Sequence, residues 1–285
     1  MGRPSASGRG PGASRRVLIT GAGGGIGRAL AGAFAHGGWE VVLTDVDESA
    51  LEAARDALAA DGAACHAFPL DVTDPESIFA ARAAVHERVG RIGALVNNAG
   101  TVHGGPFLDV PLELHRRVYR INVEGTVAVT HAFLPEILDA REGCLVFIAS
   151  ASGFIGLPNG STYASSKWAT IGFAESIRAE LRHQGHCHVH VTTVCPSYVD
   201  TGLFAGVSPP RSTKLLDPAE LAAEILEAVV KKKVWLLTPA TVKLTPLLRS
   251  LLPTRISDRV ATALGVDRSM DHWAGHPRVE PGREG

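Results

Sequence analysis

The chain has 285 residues, 45% apolar and 20% charged, the balance of a soluble globular protein with room for one sizeable α/β core. A formal net charge of −1 excludes an electrostatic grip on nucleic acid, so no nucleic-acid partner is expected. No window carries the roughly 18 uncharged apolar residues of a membrane span.

Residues 1–15 are Gly, Ser, Pro, Ala and Arg rich, lack the apolar run of a signal peptide and read as a disordered tail. Apolar strand runs then alternate with helical stretches. Strands are predicted over 17–20, 40–44, 65–68, 94–97, 145–149 and 189–194, with a seventh over 234–237. Helices are predicted over about 26–36, over 51–58 and from Asp74-Pro75, where aspartate caps and proline fills the first turn. Such repeated strand–helix–strand units predict a doubly wound parallel sheet of about seven strands in a single domain. That catalytic domain spans 16–240, and a partly helical extension spans 241–285. Ligands bind such sheets at the carboxyl ends of the strands, so the informative residues should follow strands.

A G-x-x-x-G-x-G run, Gly21, Gly25 and Gly27 with Ile26 between the last two, follows the first strand. Glycines there allow a tight turn and close approach of the backbone to a pyrophosphate at a helix N-terminus, the Rossmann arrangement. Asp45 ends the second strand 20 residues after Gly25. It can accept from an adenosine ribose, or it can cap the next helix, a task open equally to Asp47. Val46, Asp47 and Glu48 follow it, with no cation for a 2′-phosphate, so NAD is expected over NADP.

Tyr163 and Lys167 stand four apart, on one face of a helix, and Lys167 is the only lysine before Lys214. An ammonium beside a phenol lowers the phenol's pKa from about 10 and fits it to exchange protons near neutral pH. Ser150 ends the fifth strand 13 residues before Tyr163. Asn122 and Gly125 sit inside a helical stretch, a cost on propensity grounds that marks function or a bend. Asn97, Asn98 and Gly100 close the fourth strand.

These residues together, with Asp71, Val72, Pro196 and Thr201, resemble the short-chain dehydrogenase/reductase family from Val17 to about Leu237. The resemblance implies Tyr163 as general acid/base, Lys167 as its tuner and a ligand of the nicotinamide ribose, Ser150 as holder of the substrate oxygen, and Asn122 as keeper of a relay water. It further implies Asp71 and Val72 beside the adenine, Asn98 and Gly100 on the cofactor floor, Pro196 on the cofactor, and Thr201 at the carboxamide. The family's usual Pro-Gly after the sixth strand is here Pro196-Ser197, which serine can satisfy if its backbone is not left-handed. The stretches 200–206, 264–270 and 244–253 resemble the branch of epidermal-type retinol dehydrogenases and 17β-hydroxysteroid dehydrogenases. A homodimer or homotetramer, built partly on the helix of Tyr163, is what the family implies.

The expected activity is hydride transfer between NAD and a lipophilic alcohol or ketone. An NADPH-dependent ketoacyl-type reductase and a non-catalytic dinucleotide sensor are the alternatives; Asp45 argues against the first, the filled catalytic positions against the second. The pocket rim is predicted from Val102, His103 and Phe107, from Phe154, Ile155, Leu157 and Pro158, and from Tyr198, Leu203, Phe204 and Val207, with no cation among them. Arg211 and Lys214 are expected to face solvent. The apolar stretch 234–252 reads as a substrate portal, a surface-associating helix or a helix packed on the core.

Cys65, Cys144, Cys187 and Cys195 form no C-x-x-C pair, have apolar neighbours and read as buried free thiols in a reducing cytoplasm. His186, His188 and His190 read as polar positions on a half-exposed strand edge, and no metal site is expected.

Overall fold

The computed structural model describes residues 15–211 and 213–274, the side chain of Leu247 excepted. The tail expected at 1–15 therefore falls, but for Arg15, outside the described residues, as does the end of the extension. Seven strands, β1 (Arg16–Thr20), β2 (Glu40–Asp45), β3 (Cys65–Pro69), β4 (Ala94–Asn97), β5 (Gly143–Ile148), β6 (Val189–Pro196) and β7 (Trp235–Thr238), form one parallel sheet in the order β3-β2-β1-β4-β5-β6-β7. Strand order reverses between β1 and β4, which opens a crevice at their carboxyl ends.

Both faces of the sheet are covered, which is why the strands are apolar runs rather than alternating ones. Val17 and Ile19 pack on one side with Leu30 and Phe34 of α1 (Gly25–His36), Leu51 of α2 (Glu48–Ala60) and Ile225 of α7 (Pro218–Val230). Leu18 packs on the other with Ile78 of α3 (Pro75–Arg88), Phe133 of α5 (Thr126–Asp139) and Leu181 of α6 (Ser161–His183). Asp74 caps α3 by accepting from the Glu76 N–H at 2.9 Å, with Pro75 in the first turn. Asp47 caps α2 by accepting from the Ala50 N–H at 2.9 Å, which frees Asp45 from that task.

The helix carrying Asn122 is not regular. α4 (Leu112–Tyr119) enters a π-helical turn, Arg120–Gly125, that leads into α5. Such turns widen a helix by one residue and are frequent at functional sites. Gly125 is there because Val72 lies against it: a Cβ would stand 2.7 Å from Val72 Cγ2.

Two expectations need correction. Cys144 and Cys195 are buried, but Cys65 is half-buried and Cys187 exposed, because Cys187 lies in the turn before β6 rather than in the sheet. His186 and His188 lie before β6 rather than on it, while His190 stands at the start of β6, which pairs with β5 there and with β7 only from Thr193 on. His190 is half-buried within β6, and the His188 ring nitrogen Nε2 meets the Leu138 carbonyl at 2.9 Å. Among the described residues no group of three His, Cys, Asp or Glu is placed to hold a metal, and no helix is long and apolar enough to cross a membrane.

Beyond β7, α8 (Leu244–Leu251) and α9 (Thr254–Leu264) fold back toward the carboxyl ends of β5 and β6. The last described segment is laced to the loop after β6. Ser208 N–H donates to the Ser269 carbonyl at 3.0 Å, Ala274 N–H to that of Ala205 at 2.9 Å, and Trp273 Nε1 to that of Leu203 at 3.1 Å.

Candidate active site

The crevice beside β1 is a cavity of about 340 Å³ lined by Gly21, Gly25, Ile26, Gly27, Asp45, Asp71, Val72, Asn98, Gly100 and Thr201. Gly21, Gly25 and Gly27 each have a spatial reason to be glycine. Gly21 has φ +64°, and a Cβ on it would touch the Ala99 backbone at 2.9 Å. A Cβ on Gly25 would stand 2.7 Å from Thr201, and one on Gly27 would collide with the Gly21 carbonyl. α1 has no side-chain cap, so its first N–H groups face the crevice with the positive end of the helix dipole behind them. This is an anion site of the size and chemistry of a dinucleotide pyrophosphate.

Asp45 stands on the crevice wall. Its Oδ2 accepts from the Gly23 N–H at 2.8 Å and its Oδ1 from the Asp47 N–H at 3.0 Å. Asp71 accepts from the N–H and the hydroxyl of Thr73, both at 2.8 Å, which shapes the turn that presents Val72. Asn98 does more than line the floor: its Nδ2 donates to the carbonyls of Thr20 and Gly21 at 2.8 and 3.1 Å, bracing the glycine loop against the end of β4.

Tyr163, Lys167, Ser150 and Asn122 come together at the carboxyl ends of β4 and β5. All four are buried. Lys167 Nζ donates to the Ile148 carbonyl at 2.8 Å and lies 5.7 Å from the Tyr163 ring centre. Burial lowers Lys167 to about 8 and pushes the Tyr163 phenol above its ordinary range, with the Ser150 hydroxyl acting in the opposite direction on the phenol. Desolvation thus outweighs the lowering of the phenol that the tyrosine–lysine spacing led us to expect. Asn122 Oδ1 accepts from the Thr101 N–H at 2.8 Å. Its Nδ2 donates to the Thr101 carbonyl at 3.0 Å and to Ser166 Oγ at 2.9 Å, tying the π-turn to α6. Gly100 leaves the space between them: a Cβ on it would lie 3.4 Å from Asn122 Oδ1 and 3.5 Å from Lys167 Nζ.

A second cavity, about 320 Å³, is lined in part by Ser150 and Tyr163. Its walls are mostly apolar: Ile155, Leu157, Tyr198 and Phe204 as expected, and Leu244, Leu248, Val260 and Leu264 from α8 and α9. The other expected rim residues lie outside this cavity. Val102, Leu203 and Val207 pack into a small core around Met270, with Leu203 also lining the crevice beside Thr201. His103 stands edge-on to Trp273, with ring centres 6.2 Å apart, Phe154 meets Trp235 at 6.0 Å, and Phe107 packs on His115 at 4.8 Å. Pro158 borders a surface depression beside Trp168. Arg211 and Lys214 are exposed as expected, but Arg249 of α8 does line the cavity, against the expectation of no cation.

Ser197 also lines this cavity and has no left-handed backbone; the positive-φ non-glycine residues among those described are Asn159 and Lys232. Serine therefore fits after Pro196 without strain. Ser152, overlooked in the sequence, donates through its hydroxyl to Ser150 Oγ at 3.0 Å and through its N–H at 3.2 Å. Its position two after Ser150 at a strand end was the available signal.

Residues 15–212 match the family model of the short chain dehydrogenases. The chain belongs to that family. Among its relatives, the mouse (Mus musculus) epidermal retinol dehydrogenase 2 is 34% identical over 92% of this chain and 86% of its own length. Mouse estradiol 17-beta-dehydrogenase 11 is 32% identical over 84% of this chain and 80% of its own. Among solved structures, a short-chain dehydrogenase/reductase from Burkholderia phymatum in complex with NAD superposes with a TM-score of 0.75 at 30% identity, covering 84% of this chain and 95% of that one. An alcohol dehydrogenase from Thermococcus sibiricus complexed with 5-hydroxy-NADP gives 0.69 at 27%, covering 79% and 96%. Family members of this fold thus bind NAD or NADP.

Proposed function

We propose that the protein is an NAD-dependent oxidoreductase that interconverts a lipophilic alcohol and its ketone or aldehyde. The observation that carries this reading is the mostly apolar cavity whose wall includes Ser150 and Tyr163. Burying apolar substrate there contributes roughly 25 cal/mol per Å².

When bound, the nicotinamide supplies the hydride chemistry. The chain's own residues bind and orient. The N–H groups of the loop from Gly21 to Gly27 hold the pyrophosphate, Asp45 accepts from the adenosine ribose and repels a 2′-phosphate, and Asp71 and Val72 flank the adenine. Asn98 and Gly100 form the floor, and Pro196 and Thr201 border the nicotinamide end. Ser150 donates to the substrate oxygen and holds the charge that develops on it. Tyr163 exchanges the proton with that oxygen. Lys167, with its ammonium beside the phenol, favours the phenolate, and Asn122 holds a water in line with Lys167. Asp45 favours this reading over an NADPH-dependent ketoacyl-type reductase. The convergence of four buried catalytic side chains favours it over a non-catalytic sensor.

The test is a kcat/KM series with NAD and with NADP over primary and secondary alcohols of increasing chain length, a sterol and retinol. Efficiency is expected to rise with carbon count and to be higher with NAD. Best turnover of small polyols, or a preference for NADP, would overturn the corresponding half of the reading.

A further inference from the structure

Among the described residues that line the substrate cavity, one carries a full charge: Arg249. Its side chain is exposed, at the border of the cavity, and two contacts hold it there. The guanidinium lies over the Trp168 ring, 4.3 Å from the ring centre, and Nη1 donates to the Phe154 carbonyl at 2.5 Å. Two separate contacts from two different elements therefore hold the group in place. Among the described residues no carboxylate lies within ion-pair distance of it. A guanidinium carries five N–H donors, and one is used here. The side chain borders both the cavity and the surface depression beside Trp168, so its remaining donors stand at the cavity mouth, unmet by any carboxylate among the described residues.

Ser150 and Tyr163 are part of the cavity wall, Leu157, Phe204, Val260 and Leu264 give it apolar walls, and α8 adds an exposed cation at its border, held over Trp168. We propose that the substrate is an amphiphile: an apolar body with a carboxylate remote from the reacting alcohol, and that Arg249 holds that carboxylate. This rests on the reading of the cavity as the substrate site and narrows its substrate class. The planar fork matches a carboxylate in bidentate fashion, which an ammonium cannot do. An arginine already stacked and hydrogen-bonded loses little rotamer freedom when it takes up the anion. A purely structural arginine would need only the contacts to Trp168 and Phe154; those are present whatever the substrate, so discrimination between charged and neutral substrates separates the two roles.

The probes are ω-hydroxy and secondary hydroxy fatty acids of graded length, each paired with its methyl ester, assayed with NAD. The wild type is expected to favour the acid over its ester by a few-fold in kcat/KM, the size of an ion pair at an exposed arginine. That preference should arise only above the chain length that reaches Arg249. In Arg249→Met the acid-to-ester ratio should fall to about one, and Arg249→Lys should retain part of it. The ratio is taken within each variant, so a general loss of activity or stability does not mimic the effect. Equal turnover of acids and esters by the wild type would overturn the proposal and leave the dehydrogenase reading intact. So would an acid preference that Arg249→Met does not alter. No turnover of any alcohol would instead count against the dehydrogenase reading itself.

Discussion

The Ser152 hydroxyl donates to Ser150 Oγ at 3.0 Å, and the Ser152 N–H donates to the same oxygen at 3.2 Å. A hydroxyl oxygen has two acceptor sites, so both are occupied and the hydrogen of Ser150 is left to be given away. Accepting bonds also polarises a hydroxyl and strengthens it as a donor. Ser152 thus acts as a positioning residue for Ser150. Ser152→Ala is expected to lower kcat roughly tenfold with little change in KM, and Ser152→Thr to restore most of it. A variant that loses thermal stability but keeps kcat would assign Ser152 a structural role alone.

Asp45 accepts from the Gly23 N–H on the wall of the dinucleotide crevice, with Val46, Asp47 and Glu48 after it. Under the proposed reading, its charge would disfavour a phosphate on the adenosine ribose. Asp45→Ala is expected to narrow the ratio of kcat/KM for NAD over NADP by about tenfold or more, chiefly by improving NADP. A ratio unchanged by the substitution would place the discrimination elsewhere.

Lys167 is lowered from an ordinary 10.5 to about 8 by burial. In that interval the unfolded chain holds a proton that the folded chain does not, so stability rises with pH from about 8 to 10.5 and is withheld below it. The withheld part is about 3 kcal/mol. Lys167→Met removes that penalty and also loses the bond to the Ile148 carbonyl. Its Tm, measured by calorimetry without added dinucleotide, is expected to exceed that of the wild type near neutral pH and to lose the advantage toward pH 10.5. A difference in Tm that stays constant with pH would mean that Lys167 does not bury its charge.

The sheet was legible because both its faces are covered, which makes each strand a continuous apolar run bounded by turn residues. The glycine loop was legible because steric demands at Gly21, Gly25 and Gly27 admit no other residue. The tyrosine, lysine and serine were legible from helix spacing and strand ends. The π-turn at Arg120–Gly125 was not, since a one-residue widening leaves no periodic trace over six residues. Nor was the wall of the substrate cavity. Arg249 and Leu264 reach it through the return of α8 and α9 across the sheet end, a tertiary fact without local signal. Phe107 and His103 were misplaced for the converse reason: following a strand brings a residue near the site, but its partners, His115 and Trp273, decide where the side chain goes.

The central claim is that the Tyr163 phenol, buried in the wall of an apolar cavity and next to Lys167, exchanges the proton that accompanies hydride transfer. The most direct measurement is NADH formation by purified Tyr163→Phe with the best alcohol from the series, alongside NAD affinity by calorimetry. The expected result is a loss in kcat of at least roughly 10²–10⁴-fold with NAD affinity retained. A kcat near that of the wild type would contradict the assignment of Tyr163 and the mechanism built on it.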